Sequence, residues 1–323
     1  MNKQIIITIF LISLMASGIL LLSCEKTPTE PTLTSAEEQR NIPFDELTGK
    51  IAFRRILTDK PGYYYFMLLD GDNNDLHGIA YFDTYVPTNL MLSPDGRQIL
   101  FSYFIFNGQT RGHLWQLYSM FIENLYMYSI SPSLYDDSYA TWSPDGMKIA
   151  FWSNRLLESS MWVFDFDLDS SYYSVDIDKI TRTRAAWDSD SKNFIFASSD
   201  SNSKPTLYKF ELSTSSIEPI YTDELTTNEV IFKHPVFSHD NKLLAFVKAY
   251  KNKFDEIWIL NIELNDAFQL TTGFSDWYPA WSPDGNKIIF SRGNHLYLID
   301  IESSDLKQVT FGDHTNEYPS WIP

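Results

Sequence analysis

Residues 142–151 read Trp-Ser-Pro-Asp-Gly-Met-Lys-Ile-Ala-Phe, and this stretch decides the fold. Proline presets φ at the second position of a turn, aspartate bonds to nearby backbone, and glycine accepts positive φ. The apolar residues on both sides therefore predict two strands joined by a hairpin turn. We expect the aspartate of such a turn to be structural and not catalytic.

The same turn recurs along the chain. Ser-Pro-Asp-Gly also occurs at 93–96 and 282–285, and degenerate copies begin at Asp188 and Ser238. The turns begin at residues 93, 143, 188, 238 and 282, so neighbouring copies lie 44 to 50 residues apart. A near-constant period of this length indicates a repeat architecture.

The two ends of the chain decide how many repeats there are. The apolar trio at 51–53 has no turn motif before it, and the apolar element at 318–321 has no strand after it. These two orphans complete one blade if the chain closes into a ring. We therefore predict an all-β, six-bladed β-propeller over residues 46–323, with the C-terminal strand closing blade one.

These repeats resemble those of the TolB-type, WD-like β-propeller family. The residues that match are the run at 142–151, Ser153-Asn154-Arg155 after it, and the run Tyr-Pro-Ala-Trp-Ser-Pro-Asp-Gly at 278–285. The resemblance covers about residues 46 to 323. It implies the propeller fold and a binding role, and it brings no catalytic residue with it.

The N-terminus predicts export. Lys3 is the only charged residue before Cys24, and the segment between them is apolar or small, as in a signal peptide. Leu21-Leu22-Ser23-Cys24 resembles the lipobox of bacterial lipoproteins, which implies cleavage before Cys24 and lipids on its sulfur. An uncleaved transmembrane anchor is the alternative, since about 20 apolar residues span a bilayer.

The chain is thus divided into three parts. Residues 1–23 are the predicted lipoprotein signal peptide, 24–45 a flexible tether rich in Thr, Pro and Glu, and 46–323 the propeller. We expect an outer-membrane lipoprotein that is held by its lipids and faces the periplasm or the cell surface.

Composition and motifs exclude several classes of function. With a net charge of −17 and a pI near 4.7, the protein would be repelled by nucleic acid. The acidic runs at 70–75 and 165–169 lack the glycine and the final glutamate of a calcium loop, so we interpret them as turns. No metalloprotease helix, nucleophile elbow or phosphate-binding glycine loop is present. We expect no cofactor, no metal and a monomer.

The best candidate binding residues lie in the loops that lead into the inner strands, because these loops gather around the central channel of a propeller. Aromatic side chains mixed with carboxylates and arginines are typical of recognition surfaces. The predicted ligand- or partner-binding residues are Asp136, Asp137, Tyr139, Arg182, Arg184, His234, Asp276, Trp277, Tyr278, His314, Glu317 and Tyr318. Covering of the blade cores is the alternative role for Tyr278 and Tyr318.

Two hypotheses for function follow. The favoured one is a non-catalytic envelope lipoprotein whose propeller binds a protein or a glycan partner. The alternative is a propeller hydrolase or lyase that acts on an extracellular polysaccharide or peptide, since propeller active sites assemble from different blades and leave no linear motif.

Overall fold

The structure is a computed structural model that describes residues 36–323 except 84, 108–111, 132–133, 156–159, 169, 176–179, 200–202 and 224–228. The predicted signal peptide, Cys24 and most of the predicted tether lie outside the described residues. Short runs rich in aromatic and branched apolar residues, with turn residues between them, form strands almost throughout.

The described residues contain 24 strands. They are β1 (Lys50–Ile56), β2 (Tyr64–Asp70), β3 (Asp75–Phe82), β4 (Pro87–Leu92), β5 (Gln98–Asn107), β6 (Gly112–Phe121), β7 (Met127–Ser129), β8 (Asp137–Trp142), β9 (Lys148–Ser153), β10 (Ser160–Asp165), β11 (Ser170–Val175), β12 (Ala186–Trp187), β13 (Asn193–Ser199), β14 (Pro205–Glu211), β15 (Ser216–Thr222), β16 (Val230–Phe237), β17 (Leu243–Tyr250), β18 (Glu256–Asn261), β19 (Asp266–Gln269), β20 (Asp276–Trp281), β21 (Lys287–Arg292), β22 (His295–Asp300), β23 (Leu306–Gln308) and β24 (Thr315–Ile322).

Within the described residues these strands form six antiparallel, four-stranded sheets, which are the blades. From the inner to the outer strand, blade one is β24-β1-β2-β3 and blade two is β4-β5-β6-β7. Blades three to six follow in chain order as β8–β11, β12–β15, β16–β19 and β20–β23. The predicted six-bladed β-propeller is confirmed.

Blade one closes the ring. Its inner strand β24 pairs with β1 in antiparallel register, with Ile322 opposite Lys50 and Thr315 opposite Ile56. The first and last strands of the domain therefore complete each other, as the two orphan elements in the sequence predicted. This closure pairs both ends of the folded chain within one sheet, so β1 has a hydrogen-bonded neighbour on each side.

The Ser-Pro-Asp-Gly turns join inner and second strands. In each copy the serine hydroxyl donates to the aspartate, for example from Ser93 Oγ to Asp95 Oδ1 at 2.6 Å. The glycine has positive φ, which is +67° at Gly96. The degenerate turns place Ser191 and Asn241 at the same left-handed position, with φ of 60° and 59°. The aspartates of the motif thus stabilise turns.

The apolar core is divided among the gaps between blades. Six clusters of buried side chains occur in the described residues, and each one joins two neighbouring blades. Trp142, Trp187, Trp281 and Trp321 each belong to one of these clusters. Trp281 Nε1 also donates to the Val236 carbonyl oxygen of the preceding blade at 2.9 Å. These tryptophans therefore hold neighbouring blades together.

The folded part of the chain begins before the predicted boundary at residue 46. Residues Ala36–Asn41 form a short helix, α1, and Phe44–Glu46 form a turn of 3-10 helix. Glu38 is buried and accepts hydrogen bonds from Arg55 Nη1 and Nη2, at 3.2 and 2.5 Å. The assignment of 36–45 to a flexible tether is therefore wrong, because a buried arginine requires the glutamate of this segment.

No helix in the described part of the chain has the length and apolar character needed to cross a membrane.

Candidate binding site

The inner strands share a distorted position at the central channel. In five blades the ladder between the inner and second strands shifts register there, as at a β-bulge. In each of these inner strands, the first residue inside the shifted segment has positive φ although it is not glycine. This conformation costs about 1–3 kcal/mol. These residues are Asn89, Tyr139, His234, Tyr278 and Tyr318.

The bulges turn these side chains toward one another across the channel. The rings of Tyr278 and Tyr318 lie 4.3 Å apart, and those of His234 and Tyr278 lie 4.4 Å apart. Tyr139 lies 6.0 Å from His234 although blades three and five are not neighbours. Arg184 occupies the same place in blade four and lies over the Tyr278 ring at 5.6 Å. We call Tyr139, Arg184, His234, Tyr278 and Tyr318 the channel layer.

The channel layer has two buried basic groups. Arg184 Nη2 donates to the Leu90 carbonyl oxygen of blade two at 2.8 Å. The pKa of His234 lies well below its ordinary value because of burial, and the positive charges of Arg184 and Lys233 lower it further. His234 is therefore neutral near pH 7, and its Nδ1 lies 3.1 Å from the Thr183 hydroxyl.

Arg54, which sequence reasoning missed, supports the channel layer from the second strand of blade one. Its guanidinium lies 4.7 Å from the Tyr318 ring centroid and donates to the Pro87 carbonyl oxygen at 2.6 Å. It also forms an ion pair with Glu317. Because Arg54 lies far from the inner-strand loops in sequence, only the closed ring brings it to this place.

Two of the predicted binding carboxylates are not available to a ligand. Asp276 is fully buried and accepts hydrogen bonds from Arg292 Nε and Nη2, each at 2.7 Å. Asp137 is likewise fully buried and pairs with Arg155 Nη2 at 2.7 Å. The prediction that these aspartates contact a partner is wrong, because each is buried and paired with an arginine of its own blade, Arg292 in the second strand and Arg155 just after it.

The remaining predicted residues are dispersed around the ring. Asp136 accepts the Trp115 backbone N–H at 2.9 Å and so holds a loop. Arg182 is exposed and lies 4.6 Å from the Trp152 ring centroid. Trp277 is half-buried beneath Lys233, whose Nζ lies 4.9 Å from its ring. Burial lowers the pKa of His314, which is also half-buried.

Exposed aromatic residues gather on one face of the propeller. In an antiparallel blade, the loop that leads into the inner strand and the loop between the second and third strands lie at the same end. We call this end the upper face, and the end with the Ser-Pro-Asp-Gly turns the lower face. The large apolar residues exposed in upper-face loops are Tyr63, Leu134, Tyr135, Phe254 and Phe274.

Phe254 and Phe274 are the most exposed of this group. Their side chains are 56% and 58% exposed, and their rings lie 6.4 Å apart. The Arg292 guanidinium, held by Asp276, lies 5.0 Å from the Phe274 ring centroid. Neither phenylalanine was among the predicted binding residues. Phe254 lies in a loop between a second and a third strand, whereas the prediction considered only the loops that lead into inner strands. We call Phe254, Phe274 and Arg292 the aromatic patch.

The acidic turns remain turns in the structure. Asp70 Oδ1 accepts the backbone N–H of Asn73 at 3.0 Å, and Asp165 Oδ1 accepts that of Asp167 at 2.9 Å. No group of three or more His, Cys, Asp or Glu side chains that could hold a metal ion occurs in the part of the chain that the structure describes.

The fold and the distorted inner strands define a β-propeller of six four-stranded blades with a filled upper channel. The family profile of the TolB beta propeller domain matches residues 158–323. The chain therefore belongs to the TolB beta propeller domain family.

Solved structures share this fold at low sequence identity. TolB from Acinetobacter baumannii is 19% identical with a TM-score of 0.70, over 85% of this chain and 67% of that chain. A putative TolB from Agrobacterium tumefaciens is 14% identical with a TM-score of 0.59, over 85% of this chain and 99% of that chain. An oligogalacturonate lyase in complex with manganese is 15% identical with a TM-score of 0.52, over 81% and 74% of the two chains.

A probable dipeptidyl-aminopeptidase B from Uncinocarpus reesii is 27% identical over 71 residues. The match spans 20% of this chain and 8% of that protein.

Proposed function

We propose that this protein is a non-catalytic binding module of the bacterial cell envelope, and that its upper face holds a protein partner. The observation that carries the proposal is the aromatic patch, where two contacting phenylalanine rings are more than half exposed. Phenylalanine is costly to expose to water, and paired exposed rings mark interaction sites when they lie together.

The chemistry of the patch favours a protein over a glycan. Aromatic residues and arginine are enriched at protein interfaces and in their hot spots. Arg292 is rigid because Asp276 holds it through two hydrogen bonds, so it loses little side-chain entropy when a partner binds. Tyr63, Leu134 and Tyr135 are further exposed apolar residues in loops of the same face.

The predicted lipid anchor places this face in the envelope. A multiply acylated Cys24 would hold the propeller on a membrane, since each buried lipid CH2 contributes about 0.8 kcal/mol. We propose an outer-membrane lipoprotein that faces the periplasm or the cell surface. The family membership supports a binding role for the propeller.

Crosslinked native membranes test the proposal. The protein is co-purified with its neighbours as wild type, as Phe254→Ser/Phe274→Ser and as Leu264→Ser, which alters a residue 71% exposed on the lower face. We expect a stoichiometric protein partner with wild type and Leu264→Ser that the double variant loses. Equal recovery with all three would overturn the assignment of the upper face.

The alternative function, an enzyme acting on an extracellular polysaccharide or peptide, is favoured by one observation. The oligogalacturonate lyase with manganese shares the propeller fold. Incubation with oligogalacturonate and manganese, followed by chromatography of the products, tests it. Product formation that the double variant retains would favour the enzyme over the binding module.

A further inference from the structure

A cavity of 380 Å³ occupies the channel below the channel layer. All six inner strands or the segments just before them contribute to its wall, which consists mainly of apolar side chains. Four tryptophans line it, namely Trp142, Trp187, Trp281 and Trp321, together with prolines. Arg184 and His234 of the channel layer also line the cavity.

Arg184 differs from the other arginines that are buried or half-buried. Arg54, Arg55, Arg155 and Arg292 each form an ion pair with a carboxylate. Arg184 is only 8% exposed, and among the described residues no carboxylate pairs with it. One of its five N–H donors reaches the Leu90 carbonyl oxygen, and its Nε has no partner in the described structure. A buried charge without a counter-charge is costly.

Neighbouring groups do not balance this charge. The titratable groups that act on Arg184 are the phenols of Tyr278, Tyr318 and Tyr139, which carry a negative charge only when deprotonated. Burial raises the pKa of Tyr278 and Tyr318, so both stay neutral near pH 7. His234 beside it is neutral. The bottom of the channel layer is therefore a fixed positive site within a protein of net charge −17.

Two further polar groups of the wall lack partners. Thr141 Oγ1 and Trp142 Nε1 are buried and form no hydrogen bond with any described residue. Both residues line the cavity and belong to blade three, next to the blade that carries Arg184. Arg184 Nε, Thr141 Oγ1 and Trp142 Nε1 thus lie in the wall without a partner among the described residues, although buried polar groups are paired in the great majority of cases.

We propose that the channel is a binding site for a small carboxylate with an aromatic or aliphatic body. The carboxylate pairs with the Arg184 guanidinium, and the apolar body packs against the tryptophans and prolines of the wall. The planar guanidinium suits a carboxylate because two parallel N–H···O bonds can form. The cavity volume lies within the range of small-molecule sites. This proposal is independent of the upper face and of the proposed protein partner.

Matched probes test the charge requirement in the unaltered protein. The full chain in detergent is titrated calorimetrically with 3-phenylpropionate and with 3-phenylpropionamide, and a micelle-only titration serves as the blank. We expect the carboxylate to bind about tenfold or more tightly than the amide, because only the carboxylate can form a hydrogen bond between two charged groups with Arg184. Equal affinities, or no binding of either probe, would overturn the proposal.

Two arginine variants locate the site. Arg184→Met should bind both probes equally, whereas Arg40→Met, which alters an exposed arginine of α1, should keep the preference for the carboxylate. A melting curve establishes that each variant is folded. If Arg184→Met does not fold, the quenching of tryptophan emission by 3-phenylpropionate in the wild type decides, because four tryptophans line the cavity. Unchanged emission at saturating probe would contradict the site.

Discussion

Asp276 and Arg292 form a two-point ion pair inside blade six, with Arg292 Nε and Nη2 each 2.7 Å from a carboxylate oxygen. Asp276 opens the inner strand, and Arg292 lies opposite it in the register of the second strand. In blade three Asp137 also opens the inner strand and pairs with an arginine, Arg155, which lies just after the second strand. The Asp276–Arg292 pair holds the start of its inner strand and also fixes the arginine of the aromatic patch.

Arg292→Met should lower the free energy of unfolding by about 3–5 kcal/mol, because it leaves the buried carboxylate of Asp276 without its partner. Urea unfolding of the purified protein measures the change. Asp276→Leu/Arg292→Met is the matched control and should lose less stability than the single variant, since an apolar pair can replace a buried ion pair. A single variant as stable as wild type would contradict the structural role.

Deletion of residues 315–323 should abolish cooperative folding, because it removes β24 and leaves β1 without its inner neighbour. Thermal melting followed by circular dichroism tests this. Deletion of Pro323 alone, an exposed residue beyond the strand, is the control and should leave a cooperative transition. A protein without 315–323 that melts at the parent temperature would show that the ring does not need its closing strand.

His234 should make stability depend on pH between about 7.5 and 5.5. Burial, and then the charges of Arg184 and Lys233, hold its folded-state pKa well below its ordinary value. The unfolded chain therefore takes up a proton near pH 6.5 that the folded protein does not, and stability falls as pH falls. Each unit of separation between the two pKa values is worth about 1.4 kcal/mol.

Urea unfolding of His234→Gln at both pH values checks this dependence. We expect a smaller loss of stability at low pH than in wild type. Some loss should remain, because burial also lowers the pKa of His295 and His314. His239→Gln, which alters an exposed imidazole, should behave as wild type. An identical decline in wild type and His234→Gln would exclude His234 as its source.

Cys24→Ala should abolish incorporation of radioactive palmitate, because Cys24 is the only cysteine and the predicted lipid attachment site. Labelled cells followed by immunoprecipitation measure it. Ser23→Ala keeps a small residue before the cysteine and should be labelled like wild type. Labelling that continues in Cys24→Ala would refute the lipid anchor.

The propeller architecture was predictable because short local sequence motifs determine it. Each Ser-Pro-Asp-Gly turn needs its own proline, aspartate and glycine, so the repeats are visible in sequence. The closure was predictable because the apolar segments at 51–53 and 318–321 each lacked a partner strand in their own repeat. In the structure β24 pairs with β1, as predicted. The tryptophans at the ends of inner strands recur at one place in the repeat, and each packs in a cluster between blades.

The candidate site was less predictable because it depends on which side chains meet once the ring closes. Tyr139 and His234 come from blades that are not neighbours, and no local pattern indicates that they stack. Asp276 resembled a recognition residue until the register placed Arg292 opposite it. The boundary near residue 46 was wrong because the burial of Glu38 depends on a distant partner, Arg55.

Site-specific photo-crosslinking tests the proposed binding face most directly. A photoreactive phenylalanine analogue at Phe274, on the upper face, is compared in living cells with the same analogue at Leu264, on the lower face. We expect one discrete crosslinked protein product from position 274 and none from position 264. Products from position 264 alone, or the same product from both positions, would contradict the assignment of partner binding to the upper face.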